Sequence, residues 1–341
     1  MIDLRSDTVT RPGPEMRRAM AEAQVGDDVL DGDPTTRALE TRVAELLGMD
    51  WALFCPSGTM ANEVGLGVLS RPGTLVLLDE RAHIVEKEMA GAAVMLGCQL
   101  HLVRATGAVM SSADLERAFP APSRFGVPPS VVALENTHNS AGGVVTSLAE
   151  MQAMAAIARE HGCKVHLDGA RLWNAAVTLG IGVATLAAVA DTVMVCLSKG
   201  LGAPVGSCIA GRDDRQRAWE LRTRMGGGMR QSGVIAAAAR YGLEHHRDRM
   251  HEDHAHAKAF AVIVDGKGGA RVLPPDTNII MIDLPAHGDA NALAKAIAAD
   301  GVLITAWTRT RLRAITHLDA PWADVERAAQ VVARHLELSA A

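Results

Sequence analysis

Aromatic side chains are scarce in this sequence. They make up only 3% of the 341 residues, so an apolar core must be built from aliphatic side chains and the 15 methionines. Neither sign of charge is in large excess, because 34 Lys and Arg oppose 39 Asp and Glu. The net charge of −5 therefore does not indicate a nucleic-acid or anionic-membrane partner. Hydrophobic residues still reach 48%, which excludes disorder of the whole chain, and this length predicts about two domains.

Cysteines are few, and no Cys-x-x-Cys pair occurs among the five. Their odd number and scattered positions predict buried thiols in a reducing, cytoplasmic compartment, not a disulfide framework or a zinc ribbon. The segment 1–11 is charged and lacks the apolar stretch of a signal peptide. The longest charge-free run, 172–190, contains Asn174, Gly180 and Gly182. We expect a broken, buried helix pair there and no membrane span.

The middle of the chain alternates apolar runs with helical patterns, which predicts an α/β fold with a largely parallel sheet. The runs are nearly continuous, as in strands that are covered on both faces. The predicted strands are 74–78, 99–103, 131–134, 164–167, 192–197 and 207–210. The clearest predicted helices are 14–23, 34–47 and 148–160, and a long helical stretch runs from Gln231 to about Ile263.

Beyond a glycine-rich segment at 266–269 the sequence changes to short strands and helices. Strands are predicted at 271–273, 278–283, 302–304 and 312–315, and helices at 291–300 and 322–338. We therefore predict a large domain over 17–248 and a small C-terminal α+β domain over 249–341.

Three features could carry chemistry. The first is the start of an apolar helix at Ser57, Gly58 and Thr59, where open backbone N–H groups could hold a phosphate. The alternative is ordinary helix capping by one of these side chains. Neither GxxxxGK[ST] nor GxGxxG occurs, so a nucleoside triphosphate or a dinucleotide is not indicated.

The other two features lie where predicted strands end. Asp168 follows one apolar strand and could hold a cationic nitrogen or a metal, or simply cap the next helix. Lys199, one of only six lysines, follows the next strand and precedes Gly200. A desolvated lysine becomes a nucleophilic amine, whereas a solvated loop lysine would have no such role. Pyridoxal phosphate needs all three groups: a helix N-terminus, a carboxylate and a lysine.

The chain resembles the low-specificity L-threonine aldolases, which are fold type I pyridoxal-phosphate enzymes of the β-eliminating lyase and threonine aldolase group. Matching segments run through nearly the whole chain in the family's order, and they begin with the motif Ile2–Thr10. The others are 26–29, 56–60, 135–139, 166–171, 197–207, 226–231 and 312–317. The resemblance implies a mostly parallel seven-stranded sheet in the large domain, and cleavage of β-hydroxy-α-amino acids such as L-threonine or L-allo-threonine to glycine and an aldehyde. It further implies that residues 1–16 form an arm that joins the small domain.

The resemblance also implies roles for individual residues. Lys199 would bond covalently to the cofactor, Asp168 would pair with its ring nitrogen, and His83 would stack on the ring. His83, or a water that it holds, would be the base, although it could also do no more than stack. The phosphate would lie on Ser57, Gly58 and Thr59, with Arg230 reaching across a subunit interface. Ser6, Arg171 and Arg313 would hold the substrate carboxylate. The implied assembly is a homotetramer with active sites at dimer interfaces.

The sequence departs from the family pattern around the substrate side chain. Leu30 stands where the family usually has Tyr, Gly126 where a His is common, and Thr223 where a Lys is common. We expect the cofactor frame to be intact and the preference for the β-substituent to be altered, toward groups larger or less polar than that of threonine.

Other functions are possible on the same residues. A different pyridoxal-phosphate reaction, namely β-elimination, racemisation or transamination, would keep the cofactor. A zinc site in the histidine-rich stretch 245–256 is a further alternative. A solvated helix face explains that stretch better, because residues i and i+2 do not share a helix face, and we expect no metal centre.

Overall fold

The computed structural model describes residues 1–121 and 123–340, and in these residues two sheets and one strand pair carry the architecture. The strands are β1 (Ile2–Asp3), β2 (Trp51–Cys55), β3 (Leu75–Asp79), β4 (Gln99–Val103), β5 (Pro129–Glu135), β6 (Lys164–Gly169), β7 (Thr192–Cys196), β8 (Ser207–Gly211), β9 (Arg271–Leu273), β10 (Ile279–Asp283), β11 (Val302–Leu303), β12 (Thr305–Thr308) and β13 (Arg311–Ile315).

The α-helices are α1 (Pro14–Ala21), α2 (Pro34–Leu47), α3 (Gly58–Leu69), α4 (His83–Glu86), α5 (Gly91–Leu96), α6 (Ser112–Ala118), α7 (Leu148–Glu160), α8 (Leu172–Leu179), α9 (Val183–Ala187), α10 (Arg215–Arg224), α11 (Gly233–His245), α12 (Met250–Val264), α13 (Ala290–Ala299) and α14 (Trp322–Ala340). Short 3₁₀ helices cover Asp7–Val9 and Lys267–Gly269.

The larger sheet has the strand order β2-β8-β7-β6-β5-β3-β4 in the described residues. Only β8 runs antiparallel to its neighbours, which confirms the predicted mostly parallel seven-stranded sheet. The sequence analysis predicted six of these strands and missed β2. An apolar run of five residues without alternation cannot be told from a helix by its period, which explains the miss. Helices on both faces bury the sheet, with one apolar cluster on each side.

The prediction that every strand is covered on both faces is wrong for β4. This strand is the outer edge of the sheet, and its residues from Gln99 to Leu102 are exposed or half-buried. The central strands β6, β7 and β8 are buried almost throughout, as predicted.

The long helical stretch predicted from Gln231 to about Ile263 is two helices, α11 and α12, so this prediction is wrong in its continuity. Helix α11 packs on α1 and α2, whereas α12 packs on α14 and α8, and the chain must turn between them. The broken helix pair predicted for the charge-free run is confirmed as α8 and α9, with Gly180 in the left-handed conformation at the end of α8.

The C-terminal part has its own core. A four-stranded antiparallel sheet in the order β12-β13-β10-β9 packs with α12, α13 and α14. The strand predicted at 302–304 ends at Leu303 and is followed by β12, which the sequence analysis missed. Strand β1 pairs in parallel with β11, and Ile2 and Leu4 are buried in this C-terminal core. The first residues of the chain are therefore attached to its last third.

In the described part of the chain, no helix combines the length and the apolar character needed to cross a membrane.

Candidate functional site

Three predicted features lie near the carboxyl ends of central strands in the large sheet. Strands β6 and β7 are parallel neighbours, so Asp168 near the end of β6 and Lys199 beyond β7 lie on the same side of the sheet. The start of α3 also reaches this side. A Cβ atom built on Gly58 would lie 3.1 Å from Cys196 Sγ, at the end of β7. The glycine therefore lets the first turn of α3 approach β7 closely.

The first turn of α3 has the properties of a phosphate site. The Ser57 side chain accepts a hydrogen bond of 3.2 Å from the Met60 N–H and caps the helix, as the alternative interpretation predicted. Ser57 and Thr59 are exposed, and the first N–H groups of a helix have no partner within it. Capping and phosphate binding are compatible here, because the cap uses only one of the open N–H groups.

Asp168 is buried and held by two hydrogen bonds. Its Oδ2 accepts from Asn62 Nδ2 at 2.9 Å, and its Oδ1 accepts from the Ala170 N–H at 3.0 Å. Asn62 Nδ2 also donates to Glu88 Oε1 at 2.8 Å. The Asn62 amide thus hydrogen-bonds to both carboxylates, that of Asp168 on β6 and that of Glu88 in the segment after α4.

Ligand atoms of His83, Glu88 and Asp168 lie within 4.8 Å of one another, which is close enough for a metal site. However, the amide of Asn62 points its N–H bonds at both carboxylates, and His83 bonds to Glu88 through Nδ1. N–H donors therefore already contact Glu88 Oε1 and Asp168 Oδ2, and only Glu88 Oε2 is buried without a partner in the described residues. We interpret it as a hydrogen-bond network.

His83 begins α4 and is anchored at its backbone as well as at its ring. Its N–H donates to Glu135 Oε2 at 2.7 Å, while Glu135 Oε1 accepts from the Asn139 N–H at 2.7 Å. This half-buried carboxylate therefore fixes two segments that flank the site. Burial lowers the pKa of His83, but the bond to Glu88 and the charge of Asp168 outweigh burial, so the pKa is raised overall.

Arg171 is buried in an ion pair with Asp7. Its Nε and Nη2 donate to the two Asp7 oxygens at 2.8 and 2.7 Å, and its Nη1 donates to Asn139 Oδ1 at 3.2 Å. Burial of Asp7 opposes ionisation, but the charge of Arg171 dominates and holds the Asp7 pKa well below its usual range. Most of the hydrogen-bonding capacity of Arg171 is therefore used within the protein.

Arg313 is the contrasting cation. It is 8% exposed, its Nε is buried without a hydrogen-bond partner, and no carboxylate of the described residues forms an ion pair with it. Its guanidinium stacks 4.2 Å from the Trp307 ring centroid, and Nη1 contacts Asn139 at 3.3 Å. Burial and the charge of Arg171 lower the pKa of Arg313 to about 10. Nη2 donates to the Arg5 carbonyl at 3.4 Å, so Arg313 has only neutral hydrogen-bond partners. A substrate carboxylate would supply the negative charge that this buried cation lacks.

The remaining predicted residues lie further apart. Ser6 caps the first 3₁₀ helix beside Asp7, and Arg230 is exposed and pairs with Asp27 at 3.3 Å. Leu30 is 75% exposed, and Gly126 lies in an exposed turn. Within one chain the structure therefore does not bring Arg230, Leu30 or Gly126 into the group around Lys199.

The histidine-rich stretch forms no metal cluster within residues 1–121 and 123–340. His254 bonds to Asn174 in the interior, His246 bonds to the Leu201 carbonyl, and His251 bonds to the Asp248 carbonyl. These contacts do not support the zinc alternative.

Comparison with known proteins gives a consistent result. A family model described as β-eliminating lyase matches residues 3–287. Low-specificity L-threonine aldolase 1 of Arabidopsis thaliana is 40% identical over 333 residues, which cover 95% of this chain and 93% of the relative. The chain belongs to the β-eliminating lyase family. The Escherichia coli K12 low specificity L-threonine aldolase is also 40% identical, over 94% of both chains. A solved structure of Leishmania major threonine aldolase aligns with a TM-score of 0.80 at 21% identity, covering 98% of this chain and 100% of that one.

Membership in the β-eliminating lyase family confirms the predicted resemblance, and the structural alignment confirms the fold type I architecture. The sequence analysis did not assign roles to Asp7, Asn62, Glu88, Glu135 or Trp307. Asp7 and Glu135 lie in quoted motifs and Asn62 lies two residues after one, but no local pattern shows which distant side chain each one contacts. Glu88 carries no sequence signal beyond its position five residues after His83.

Proposed function

We propose that this protein cleaves β-hydroxy-α-amino acids such as L-threonine or L-allo-threonine to glycine and an aldehyde, with pyridoxal phosphate as its cofactor. The observation that carries the proposal is the Arg313 guanidinium, which forms no ion pair in the described residues and donates to the same Asn139 oxygen as Arg171. The similar low-specificity L-threonine aldolases of Arabidopsis thaliana and Escherichia coli support the same reaction.

The residues present fit the cofactor. A Cβ on Gly58 would crowd Cys196 Sγ, so glycine lets the first turn of α3 pack closely on β7, and the N–H groups of Ser57, Gly58 and Thr59 would hold the phosphate. When bound, pyridoxal phosphate supplies an aldehyde that reacts with amines and a ring that takes up the electron pair of a broken Cα bond. Asp168, held in place by Asn62, would keep the ring nitrogen protonated, and Lys199 would hold the cofactor.

Substrate binding falls to the cationic residues and the N-terminal segment. Arg313 would donate hydrogen bonds to the α-carboxylate, and Arg171 and Ser6 would also contact it. A carboxylate held in a planar, two-point contact has a fixed torsion about Cα. This torsion decides which Cα bond stands perpendicular to the cofactor plane and breaks. Trp307 would keep the Arg313 fork in place by covering one of its faces.

The base that takes the β-hydroxyl proton is assigned to His83, acting directly or through a water that it holds. Its neighbour Glu88 and the anchoring by Glu135 both favour a fixed ring orientation. The alternative is a ring that only stacks on the cofactor.

The assembly, compartment and domain division follow from the resemblance and are part of the proposal. We propose a homotetramer in the cytoplasm, with domains at 17–248 and 249–341 and an N-terminal arm at 1–16. Arg230, Leu30 and the Gly126 turn are exposed in one chain, which suits residues that complete a partner's site. The replacements at Leu30, Gly126 and Thr223 would widen the β-substituent pocket toward larger or less polar groups.

Product analysis tests the proposed function. Purified holoenzyme is incubated with L-threonine, L-allo-threonine and phenylserine, and glycine and aldehyde are quantified together. We expect equal amounts of both, with phenylserine cleaved faster than threonine. Keto acid, ammonia or D-amino acid in place of glycine would indicate transamination, β-elimination or racemisation and would refute the proposal. A plain preference for threonine would refute the altered pocket alone.

A further inference from the structure

The ring of His83 is held by a buried carboxylate. Glu88 is 2% exposed, and its Oε1 lies 2.7 Å from His83 Nδ1. Burial raises the pKa of Glu88, while the hydrogen bonds from His83 and Asn62 act in the opposite direction and favour the carboxylate. In its ionised form Glu88 can only accept a hydrogen bond, and Nδ1 then carries the proton. In a neutral imidazole this leaves Nε2 unprotonated and able to accept a proton.

A second chain of bonds fixes Glu88 relative to Asp168. The Asn62 amide donates from Nδ2 to both carboxylates, and its Oδ1 accepts from His166 Nε2 at 3.0 Å. His166 Nδ1 lies 2.9 Å from the Thr192 hydroxyl. Burial lowers the pKa of His166 to about 4, so its ring is neutral and donates through one nitrogen only. These bonds allow only one orientation of the Asn62 amide.

We propose that Glu88 is a positioning residue for the cleavage reaction, holding His83 with Nδ1 protonated so that Nε2 faces the substrate as the base. This inference rests on the proposed function. In the step, the β-hydroxyl O–H bond breaks and the proton bonds to His83 Nε2. The O–H electron pair forms the second C–O bond of the aldehyde as the Cα–Cβ bond breaks. The Cα–Cβ electron pair stays with the α-carbon fragment, which later takes up a proton and leaves as glycine.

The charged groups around His83 determine how its pKa would change if Glu88 were lost. Asp168 and Glu88 favour the protonated ring, Lys199 disfavours it, and Glu135 holds the backbone. Glu63 lies near enough to Glu88 for their charges to interact. Neither Glu63 oxygen has a hydrogen-bond partner in the described residues. Burial and the charge of Glu88 raise the pKa of Glu63 to about 8, so Glu63 is neutral at pH 7 and provides a matched control.

The test compares Glu88→Gln, Glu88→Asp and Glu63→Gln in the holoenzyme. Glu88→Gln removes the charge that stabilises protonated His83, so kcat should fall by about tenfold or more with little change in KM. The acidic limb of the pH profile of kcat/KM should move to lower pH. Glu88→Asp, which keeps the charge, should recover part of the rate, and Glu63→Gln should match the parent at pH 7. A rate and pH profile of Glu88→Gln equal to those of the parent would overturn the proposal.

A spectroscopic readout separates this inference from the proposed function. In ¹⁵N-histidine-labelled holoenzyme, the His83 signals are assigned by their loss in His83→Asn. We expect a protonated Nδ1 and a pyridine-like Nε2 above the His83 pKa, and a lower His83 pKa in Glu88→Gln. An unprotonated Nδ1, or an unchanged pKa, would overturn the role of Glu88. This result is decisive for Glu88 even if product analysis were to refute the cleavage reaction.

Discussion

At the scale of single residues, the two buried arginines have different partners and therefore different roles. Arg171 is neutralised by Asp7, whereas Arg313 has only neutral hydrogen-bond partners and the face of Trp307. A protein keeps an unpaired buried cation at a cost in stability, and such groups concentrate at binding sites. The difference between these neighbours indicates where the substrate carboxylate enters.

Replacement of Arg313 tests this interpretation. Lysine keeps the charge but loses the planar two-point contact, so Arg313→Lys should raise KM for the amino acid by about 10- to 100-fold, or ~1.4–2.8 kcal/mol of binding. Trp307→Phe, which keeps an aromatic face, should change KM far less. Steady-state kinetics decide, and an unchanged KM in Arg313→Lys would show that Arg313 does not hold the carboxylate.

The neutral carboxyl of Glu63 predicts a pH effect on stability. Burial and Glu88 raise its pKa from 4.5 to about 8 on folding, so the folded protein binds more protons. Its stabilising contribution is therefore present at low pH and is lost as pH rises toward 8. Glu63→Gln should flatten the fall in the free energy of unfolding between about pH 5 and pH 8, by roughly 1–3 kcal/mol.

Urea denaturation at a series of pH values and one protein concentration measures this effect. Glu40, whose pKa burial raises to about 7, remains in the variant and provides the residual slope. Identical pH dependence in parent and Glu63→Gln would contradict the assignment of a neutral Glu63.

Sequence reasoning reached Lys199 and Asp168 because each follows an apolar strand directly. It did not reach Glu88 or Asn62, since their roles depend on contacts between α3, β6 and the segment after α4. Periodicity describes one element at a time and gives no information about which side chains meet across elements.

At the scale of elements, the close packing of α3 on the sheet positions the site. Gly65 lies in the middle of α3, where a Cβ would approach His166 Cε1 to 2.5 Å and Ile209 Cδ1 to 2.8 Å. The absence of a side chain there allows α3 to lie close to the sheet, so that Asn62 can form hydrogen bonds with both His166 and Asp168.

Gly65→Ala tests this packing. Alanine ordinarily stabilises a helix relative to glycine, but the contact with His166 should dominate and lower stability by about 1–3 kcal/mol. Gly107→Ala is the control, because nothing lies within 4 Å of its Cβ position. Urea denaturation compares the two, and a gain in stability for Gly65→Ala would contradict the close approach.

Helices with clear boundary signals were predicted to the residue, as in α2, which begins after the Asp33 cap and ends before left-handed Gly48. The break between α11 and α12 was missed because no proline or glycine marks it. Tertiary packing of the two helices on different partners determines that turn.

At the scale of the whole molecule, exposed apolar side chains support the proposed assembly. Met89 is 92% exposed, Val94 and Met95 protrude from α5, and Leu102 lies on the edge strand β4. Helix α5 contacts β4, and exposed apolar side chains on neighbouring elements commonly mark an interface. The placement suits a contact between copies near the segment that carries His83 and Glu88.

Charge introduced into this surface should disrupt the assembly. We expect Val94→Glu combined with Met95→Glu to reduce the solution mass below four times the chain mass of 35.9 kDa. Val262→Glu, at an exposed position on α12, should leave the mass unchanged. Light scattering after size-exclusion chromatography measures both. An unchanged tetramer in the double variant would exclude α5 from the interface.

The two-sheet architecture was predictable from the sequence. Alternating strands and helices in the middle of the chain are followed by shorter strands and helices in its last third. The attachment of β1 to β11 was expected only from the family resemblance, since two short strands 300 residues apart carry no local sign of pairing.

The most direct measurement is the location of the covalent bond between protein and cofactor. The holoenzyme is reduced with sodium borohydride, which makes the bond to the amine permanent, then digested and analysed by mass spectrometry. We expect one pyridoxyl-phosphate group per chain, on Lys199, and none in Lys199→Ala. Modification of a different lysine, or no stable modification after reconstitution with pyridoxal phosphate, would contradict the account.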